Sequence, residues 1–384
     1  MVFVSRMPPV PCGVAEYTSM LISELSKIPA LTISVVGGDA VDYPLGFELQ
    51  DSYSGVAYRN CFMRGDVLYL PKCLENLEKP QLVHIQHEVG IFPDVVSLAN
   101  FMKSLRAQGV KIVLTLHTVI HALGGEALIT IQKHLVENSD AVIVHSVLQE
   151  QELLRQGIPV EKVHLIPHGT LLNPFVGQPR ELLIQSLPLP RDIVNKKVVC
   201  IAGFVRSRDK DYSPVIKAVD ALADRYNVKL VIAGMPRRKD TRDVILEETL
   251  RRVIRENGNV YYLEGFLDRF SLLKLLALSD VVVLPIVDVR NYPVSVSGVF
   301  HLAIGSRKPV LCTRSHKLVE CNFLAPELTL RVFTAEEITR KIEEVLLSKE
   351  EVSRAVEKLW SYALETRWEV VARKHYELYR ELLS

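Results

Sequence analysis

Short apolar runs rich in β-branched residues alternate with segments of helical period, and this alternation constrains the fold more than any other feature. The first series holds "MVFVS" at the start, "LTISVV" (31–36), "QLVHIQH" (81–87), "VKIVLTLH" (110–117), "DAVIVHS" (140–146) and "VHLIPHG" (163–169). Strands that are apolar on both faces and separated by helices indicate parallel sheets covered on both sides. The rhythm breaks at 171–195, "LLNPFVGQPRELLIQSLPLPRDIVN", which carries four prolines and no clean strand, the character of a connection. It restarts with "KVVCIAG" (197–203), "VKLVIAG" (228–234), "NVYYLEG" (259–265), "DVVVLP" (280–285) and "PVLCT" (309–313). The expected fold class is α/β, with two Rossmann-like doubly wound domains facing a cleft. The expected boundaries are 1–172 for the first domain, 173–195 for the linker and 196–365 for the second domain. The tail beyond about 335 reads as helical. In "WEVVARKHYELYRELL", Val370, Val371, His375, Leu378, Tyr379 and Leu382 fall at helical spacing.

The 384 residues are 48% hydrophobic and 24% charged, with a net charge of +1. That suffices for a sizeable core and gives no global attraction to nucleic acid or acidic membranes, so any anion site must be local. Cys12, Cys61, Cys73, Cys200, Cys312 and Cys321 are scattered without a C-x-x-C pair, which is expected of free buried thiols in a reducing compartment. No apolar run approaches the ~18 residues of a membrane span, and a first strand beginning at Met1 leaves no room for a signal peptide. The expectation is a cytoplasmic chain, compatible with peripheral contact with lipid.

Ligands of open parallel sheets sit outside the carboxyl ends of the strands. After the first strand, "SRMPPVPCGVAEYTSML" places Gly13 where a helix over 14–27 begins, and helix starts bind anions; a plain turn explains the glycine equally well. No G-x-G-x-x-G or G-x-x-x-x-G-K-[ST] occurs, which argues against dinucleotide and P-loop chemistry. His87, Glu88 and His117 end neighbouring strands and can form a polar floor for a substrate hydroxyl. A metal cluster from His84, His87, His117 and His121 fits no compact zinc spacing. His168 and Gly169 end the last strand of the first series, as a cleft-lining or simply domain-closing turn.

In "GFVRSRDKDY" (203–212), Gly203 permits close backbone approach, and Arg206, Arg208 and Lys210 offer cations suited to a diphosphate. Asp209 and Asp211 form a D-x-D, too short a pattern to indicate Mg²⁺ alone. "AGMPRRKD" (233–240) adds Arg237, Arg238 and Lys239, with a solvated loop as the simpler explanation. Gly265 and Phe266 offer backbone and an aromatic ring for a nucleobase, although Phe266 reads equally as core. In "SVSGVFHLAIGSRKPV" (295–310), Ser295, Ser297 and Gly298 stand at a helix start, an anion cradle without a side-chain cation. Serine capping is compatible with the same residues.

The ordered series "PPVPCGVAEYT", "VHIQHE", "VLTLHTV", "GIPVEKVHLIPHG", "IAGFVR", "VIAG", "LEGF", "SDVVVLP", "GVFHLAIGSRKPV" and "WEVVARKHYELYRELL" resembles the GT-B glycosyltransferases of the large retaining family 4 across nearly the whole chain. The resemblance implies transfer of a hexose from a nucleotide-diphosphate sugar, UDP- or GDP-linked, with retention and generally without a metal or other cofactor. The acceptor (glycan, lipid or small molecule) is unspecified, and nucleic acid is not an expected partner. It further implies that Gly13 closes over the donor diphosphate and that His117 lies near the transferred sugar. Arg206 and Lys210 neutralise the diphosphate, and Gly265–Phe266 lie beside the base. Catalytic roles thus fall to His117, Arg206 and Lys210, and donor binding to Gly13, Gly203, Gly265, Phe266, Ser295, Ser297 and Gly298 besides. His87, Glu88 and His168 are candidates for the substrate rim. The last helix, about 366–384, resembles one that crosses back onto the first domain. Spacing around Arg206 and Lys210 is one residue longer than usual, and Asp211 stands where glycine is common.

The chain departs from the family where two glutamates, eight positions apart, are usual: Val294 and Leu302 stand there. Neither accepts a hydrogen bond from a sugar or ribose hydroxyl. The expectations are therefore an active transferase of a divergent branch or a catalytically impaired sugar- or nucleotide-binding subunit. A nucleotide-sugar epimerase is a third, with Glu88 as the only carboxylate base to nominate.

Overall fold

The computed structural model describes residues 1–75, 77–236, 241–288 and 293–384. The chain divides into two compact units: Met1–Gly169 with Asn291–Val296 and Thr366–Ser384, and Thr170–Arg290 with Ser297–Glu365.

The first unit is built on strands β1 (Val2–Val4), β2 (Ser34–Gly37), β3 (Glu48–Gln50), β4 (Ala57–Asn60), β5 (Leu82–His87), β6 (Lys111–Leu116), β7 (Thr118–Val119), β8 (Ala141–Val144) and β9 (Val163–Leu165). Eight of these form one sheet in the order β3-β4-β2-β1-β5-β6-β8-β9. All its pairings are parallel except β3 with β4. Strand order reverses at β1, flanked by β2 on one side and β5 on the other, so the loops after β1 and β5 border the switch point. β5 is buried at every position: Leu82, Val83 and Ile85 are apolar, and the polar His84 and Gln86 are buried with hydrogen-bond partners. β3 and β4 alternate exposed and covered positions and close the polar edge. The helix Gly13–Leu25 packs against the C-terminal helix Trp368–Leu383.

The second unit carries β10 (Lys197–Ala202), β11 (Val228–Gly234), β12 (Val260–Glu264) and β13 (Val281–Leu284). After β13 the chain returns to the first unit for β14 (Val294–Ser295), which pairs antiparallel with β7, Val294 opposite Val119 and Ser295 opposite Thr118. It re-enters the second unit with the helix Gly298–Gly305 and β15 (Val310–Cys312). The five-stranded sheet runs β12-β11-β10-β13-β15, all parallel, with its switch point between β10 and β13. Residues of 173–195, including Leu183, Ile184, Leu187 and Ile193, are buried in this unit's core. The expected α/β class with two doubly wound sheets is borne out.

One expectation fails. Cys61 and Cys73 form a disulfide, their Cα atoms 6.2 Å apart, while Cys12, Cys200, Cys312 and Cys321 are free and buried. The turn through Met63–Asp66 brings the residue after β4 onto the helix Leu70–Glu75, a juxtaposition that a twelve-residue spacing does not reveal. The inference of a reducing compartment, which rested on six free thiols, loses that support. No helix among the described residues is long and apolar enough to cross a membrane.

Candidate functional site

The second unit gathers cations at the carboxyl end of β10, on its switch point. β10 ends at Ala202, and Gly203 turns the chain at φ +97, where side chains are strained. A Cβ there would lie 3.0 Å from Val299 Cγ2 and 3.5 Å from Lys210 Nζ. Gly203 therefore lets the helix start at Gly298 and the Lys210 ammonium share one small space. Lys210 Nζ donates to the Ala202 carbonyl at 3.3 Å. Burial pushes this ammonium down to about 8, Arg206 and Lys317 add to the effect, and Asp209 opposes it. The half-buried ammonium thus sits beside two like charges and one carboxylate, with the Ala202 carbonyl as its acceptor among the described residues, a position that an incoming anion would relieve.

Arg206 Nε lies 3.2 Å from Asp209 Oδ1 in an ion pair, and Lys317 pairs with Oδ2 of the same carboxylate. Asp209 is 3% exposed and Lys317 7%. The loop is fixed to the chain after β13: Val287 N–H donates to the Asp209 carbonyl at 2.9 Å and Asp211 N–H to that of Pro285 at 3.3 Å. Asp211 accepts from Ser213 N–H at 3.0 Å, so the two acids of the D-x-D serve different local structures and do not act as a pair.

Gly265 follows β12 at φ +109, and a Cβ there would meet nothing within 4 Å. Phe266 is 39% exposed, its ring 6.0 Å from that of Phe204 in the β10 loop. The core alternative for Phe266 therefore does not hold. Ser297 caps its helix by accepting from Phe300 N–H at 3.4 Å, which engages one hydroxyl of the expected cradle. Ser295 belongs to the β7–β14 ladder of the first unit. Val294 is buried in that ladder, and Leu302 packs against the second unit's core, so both perform apolar packing where the family's glutamates are usual. Arg237, Arg238 and Lys239 lie outside the described residues.

The first unit gathers imidazoles around Tyr17. Its ring lies 4.7 Å from that of His117, 5.0 Å from His145, 5.1 Å from His168 and 5.0 Å from Trp368. Tyr17 is buried and its hydroxyl has no hydrogen-bond partner among the described residues. Gly169 makes room for Trp368, since a Cβ would sit 2.3 Å from the indole. His117 Nε2–H donates to Gln86 Oε1 at 2.8 Å. Burial, then the neighbouring rings of His145 and His168, hold His117 well below the ordinary imidazole range. His168 Nδ1–H donates to the Gly169 carbonyl at 2.8 Å, and burial lowers it to about 3. His87 is buried and stacked with Phe92 at 6.1 Å, its titration pushed down to about 4 by burial; it is core. Glu88 accepts from the Thr118 hydroxyl at 2.6 Å. His84 turns inward to Tyr379 and Thr115, and His121 lies 3.7 Å from Glu152. Among the described residues, no three His, Cys, Asp or Glu side chains converge as a metal-ligand set.

Gly13 opens the helix Gly13–Leu25, and a Cβ there would meet nothing within 4 Å. Sequence reasoning missed Tyr17, His145, Gln86 and Lys317. Tyr17 and Lys317 act through partners far along the chain; His145 and Gln86 sit in strand-end segments, where position alone marks them.

Two doubly wound units of this topology define the GT-B glycosyltransferase fold. Residues 13–172 match the model of Glycosyltransferase Family 4. No curated protein sequence matches the chain. Among solved structures, sucrose-phosphate synthase from Thermosynechococcus elongatus is similar with a TM-score of 0.72 at 19% identity, covering 99% of this chain and 98% of its own. A UDP-forming α,α-trehalose-phosphate synthase from Burkholderia xenovorans gives 0.71 at 14%, covering 100% and 99%. Anabaena HepE in complex with UDP and glucose gives 0.68 at 13%, covering 99% of each. The resemblance to GT-B glycosyltransferases of family 4 is borne out.

Proposed function

We propose that the protein is a retaining glycosyltransferase that moves a hexose from a nucleotide-diphosphate sugar to a glycan, lipid or small-molecule acceptor. The observation that carries this reading is the Lys210 ammonium, half-buried beside Gly203, Arg206 and Asp209 at the switch point of the second sheet. A diphosphate placed there would be neutralised by Arg206 and Lys210 and by the N–H groups that begin the helix at Gly298. These charges would stabilise the departing nucleoside diphosphate more than the donor itself, because breaking the bond to the sugar carbon adds a further negative charge to an already anionic diphosphate. Phe266, exposed next to Phe204, suits a nucleobase. Solved relatives hold UDP and UDP-glucose, which makes uridine the first base to test. In the first unit, His117 offers a neutral imidazole to a sugar hydroxyl.

Val294 and Leu302 favour one second reading, a subunit that binds a nucleotide sugar without turning it over. Incubation with a panel of UDP- and GDP-sugars, followed by assay for released nucleoside diphosphate, separates the two. Release that depends on Arg206 supports transfer, binding without release supports the second reading, and neither binding nor release rejects both.

A further inference from the structure

Five buried or half-buried side chains of the first unit form one hydrogen-bonded line: Tyr379, His84, Thr115, Gln86 and His117. His84 Nδ1 lies 2.7 Å from the Tyr379 hydroxyl, and its Nε2 lies 2.7 Å from the Thr115 hydroxyl and 3.2 Å from Gln86 Nε2. Gln86 Oε1 lies 2.8 Å from His117 Nε2. Tyr379, His84, Thr115 and Gln86 are at most 1% exposed, so each polar atom must find its partner inside this line.

An amide has one donor end and one acceptor end. With its NH₂ toward His84, Gln86 presents Oε1 to His117, and only a protonated Nε2 can meet that oxygen. A neutral imidazole carries one N–H, so Nδ1 of His117 is then a bare lone pair. Nδ1 has no hydrogen-bond partner among the described residues, and His117 is not fully buried. The same amide orientation makes His84 Nε2 an acceptor, of Thr115 as well as of Gln86, and directs its Nδ1–H to the Tyr379 oxygen. Turning the amide over would exchange both tautomers together.

We infer that Gln86 is a positioning residue that holds His117 as the Nε2–H tautomer, so that the group received at Nδ1 is a hydrogen-bond donor, an uncharged hydroxyl, rather than a phosphate or carboxylate oxygen. The inference rests on the transferase reading only for the identity of that hydroxyl as a sugar's. Burial, which keeps the ring neutral, acts in the same direction: a neutral ring with an open lone pair repels an anion and accepts from a hydroxyl.

The test is long-range ¹H–¹⁵N correlation on the full-length chain labelled with ¹⁵N-histidine, the His117 signals assigned by their loss in His117→Asn. Wild type should carry its proton on Nε2. Gln86→Leu should lose the single tautomer, and Gln86→Glu, which keeps an oxygen opposite His117, should retain it. For any nucleotide sugar turned over, Gln86→Leu should lower kcat by about tenfold, the effect of one hydrogen bond, while Gln86→Glu recovers most of it. A proton on Nδ1 in wild type overturns the inference, as does an unchanged tautomer in a folded Gln86→Leu. The tautomer is read without substrate. An Nε2–H signal in a protein that releases no nucleotide would leave Gln86's role standing and reject the transferase reading.

Discussion

Arg206 Nε lies 3.2 Å from Asp209 Oδ1 in an ion pair, and the other oxygen of this buried carboxylate is paired with Lys317. Asp209 therefore orients the guanidinium proposed to meet the donor phosphates while balancing a buried ammonium. Asp209→Asn should lower the unfolding free energy by about 3 kcal/mol, because it removes the carboxylate shared by two cations. Lys317→Met should cost less, since Arg206 still covers the acid. Urea denaturation of both variants checks the order; equal or negligible losses would show that the triad is not a coupled unit.

Glycine positions separate packing from function. A Cβ on Gly234 would lie 2.1 Å from the Gly203 carbonyl oxygen, a backbone clash that cannot relax locally. Gly234→Ala should cost about 2–4 kcal/mol. Gly13→Ala meets open space and should leave the melting temperature unchanged or raised. If the Gly13 loop closes over the donor, the added methyl should nevertheless weaken nucleotide-sugar binding. Thermal scans paired with binding titrations test both, and a Gly13→Ala protein that melts early would point to a structural role instead.

The strands were legible because burial on both faces forces continuous apolar runs, and the strand ends led directly to His117, Arg206 and Lys210. β3 and β4 were not, because edge strands alternate with polar residues, as in "ELQ" and "AYRN". Asp209 was visible only as half of a D-x-D, since its partner Lys317 is 108 residues away. The imidazole ring around Tyr17 assembles residues from the segments that follow β6, β8 and β9 and from the N- and C-terminal helices. No local pattern encodes that convergence, nor the approach of Cys61 to Cys73.

Acid should destabilise the first unit. Burial depresses His87 and His145 to about 4 and His168 and His375 to about 3, with His84 and His117 also well below their ordinary value. Depressed folded-state titration means that stability is full above about pH 6.5 and is lost as pH falls toward 4, by up to about 3 kcal/mol for a single such ring. Trp368 lies in this unit and Trp360 in the other. In Trp360→Phe, Trp368 fluorescence should therefore report a loss of stability between pH 6.5 and 4. A flat profile there would contradict the burial of these rings as neutral groups.

Glu320, in the second unit, should act with the opposite sign. Burial raises its carboxyl to about 7. Its contribution is most favourable below the unfolded value near 4.5 and declines as pH rises through 7, by about 1–3 kcal/mol. Glu320→Gln should remove that decline and stabilise the protein at pH 8. Denaturation midpoints at pH 5 and pH 8 measure it, and an unchanged difference between the two would rule out the buried carboxyl as its source.

Calorimetric titration of UDP into wild type, Arg206→Ala and Lys210→Met tests most directly whether the β10 loop holds the donor diphosphate. Each variant should bind at least about thirtyfold more weakly, the value of a charge-assisted phosphate contact of about 2 kcal/mol, at a temperature where both variants remain folded. Wild-type binding with unaltered affinity in both variants would place the diphosphate elsewhere and contradict the proposed site.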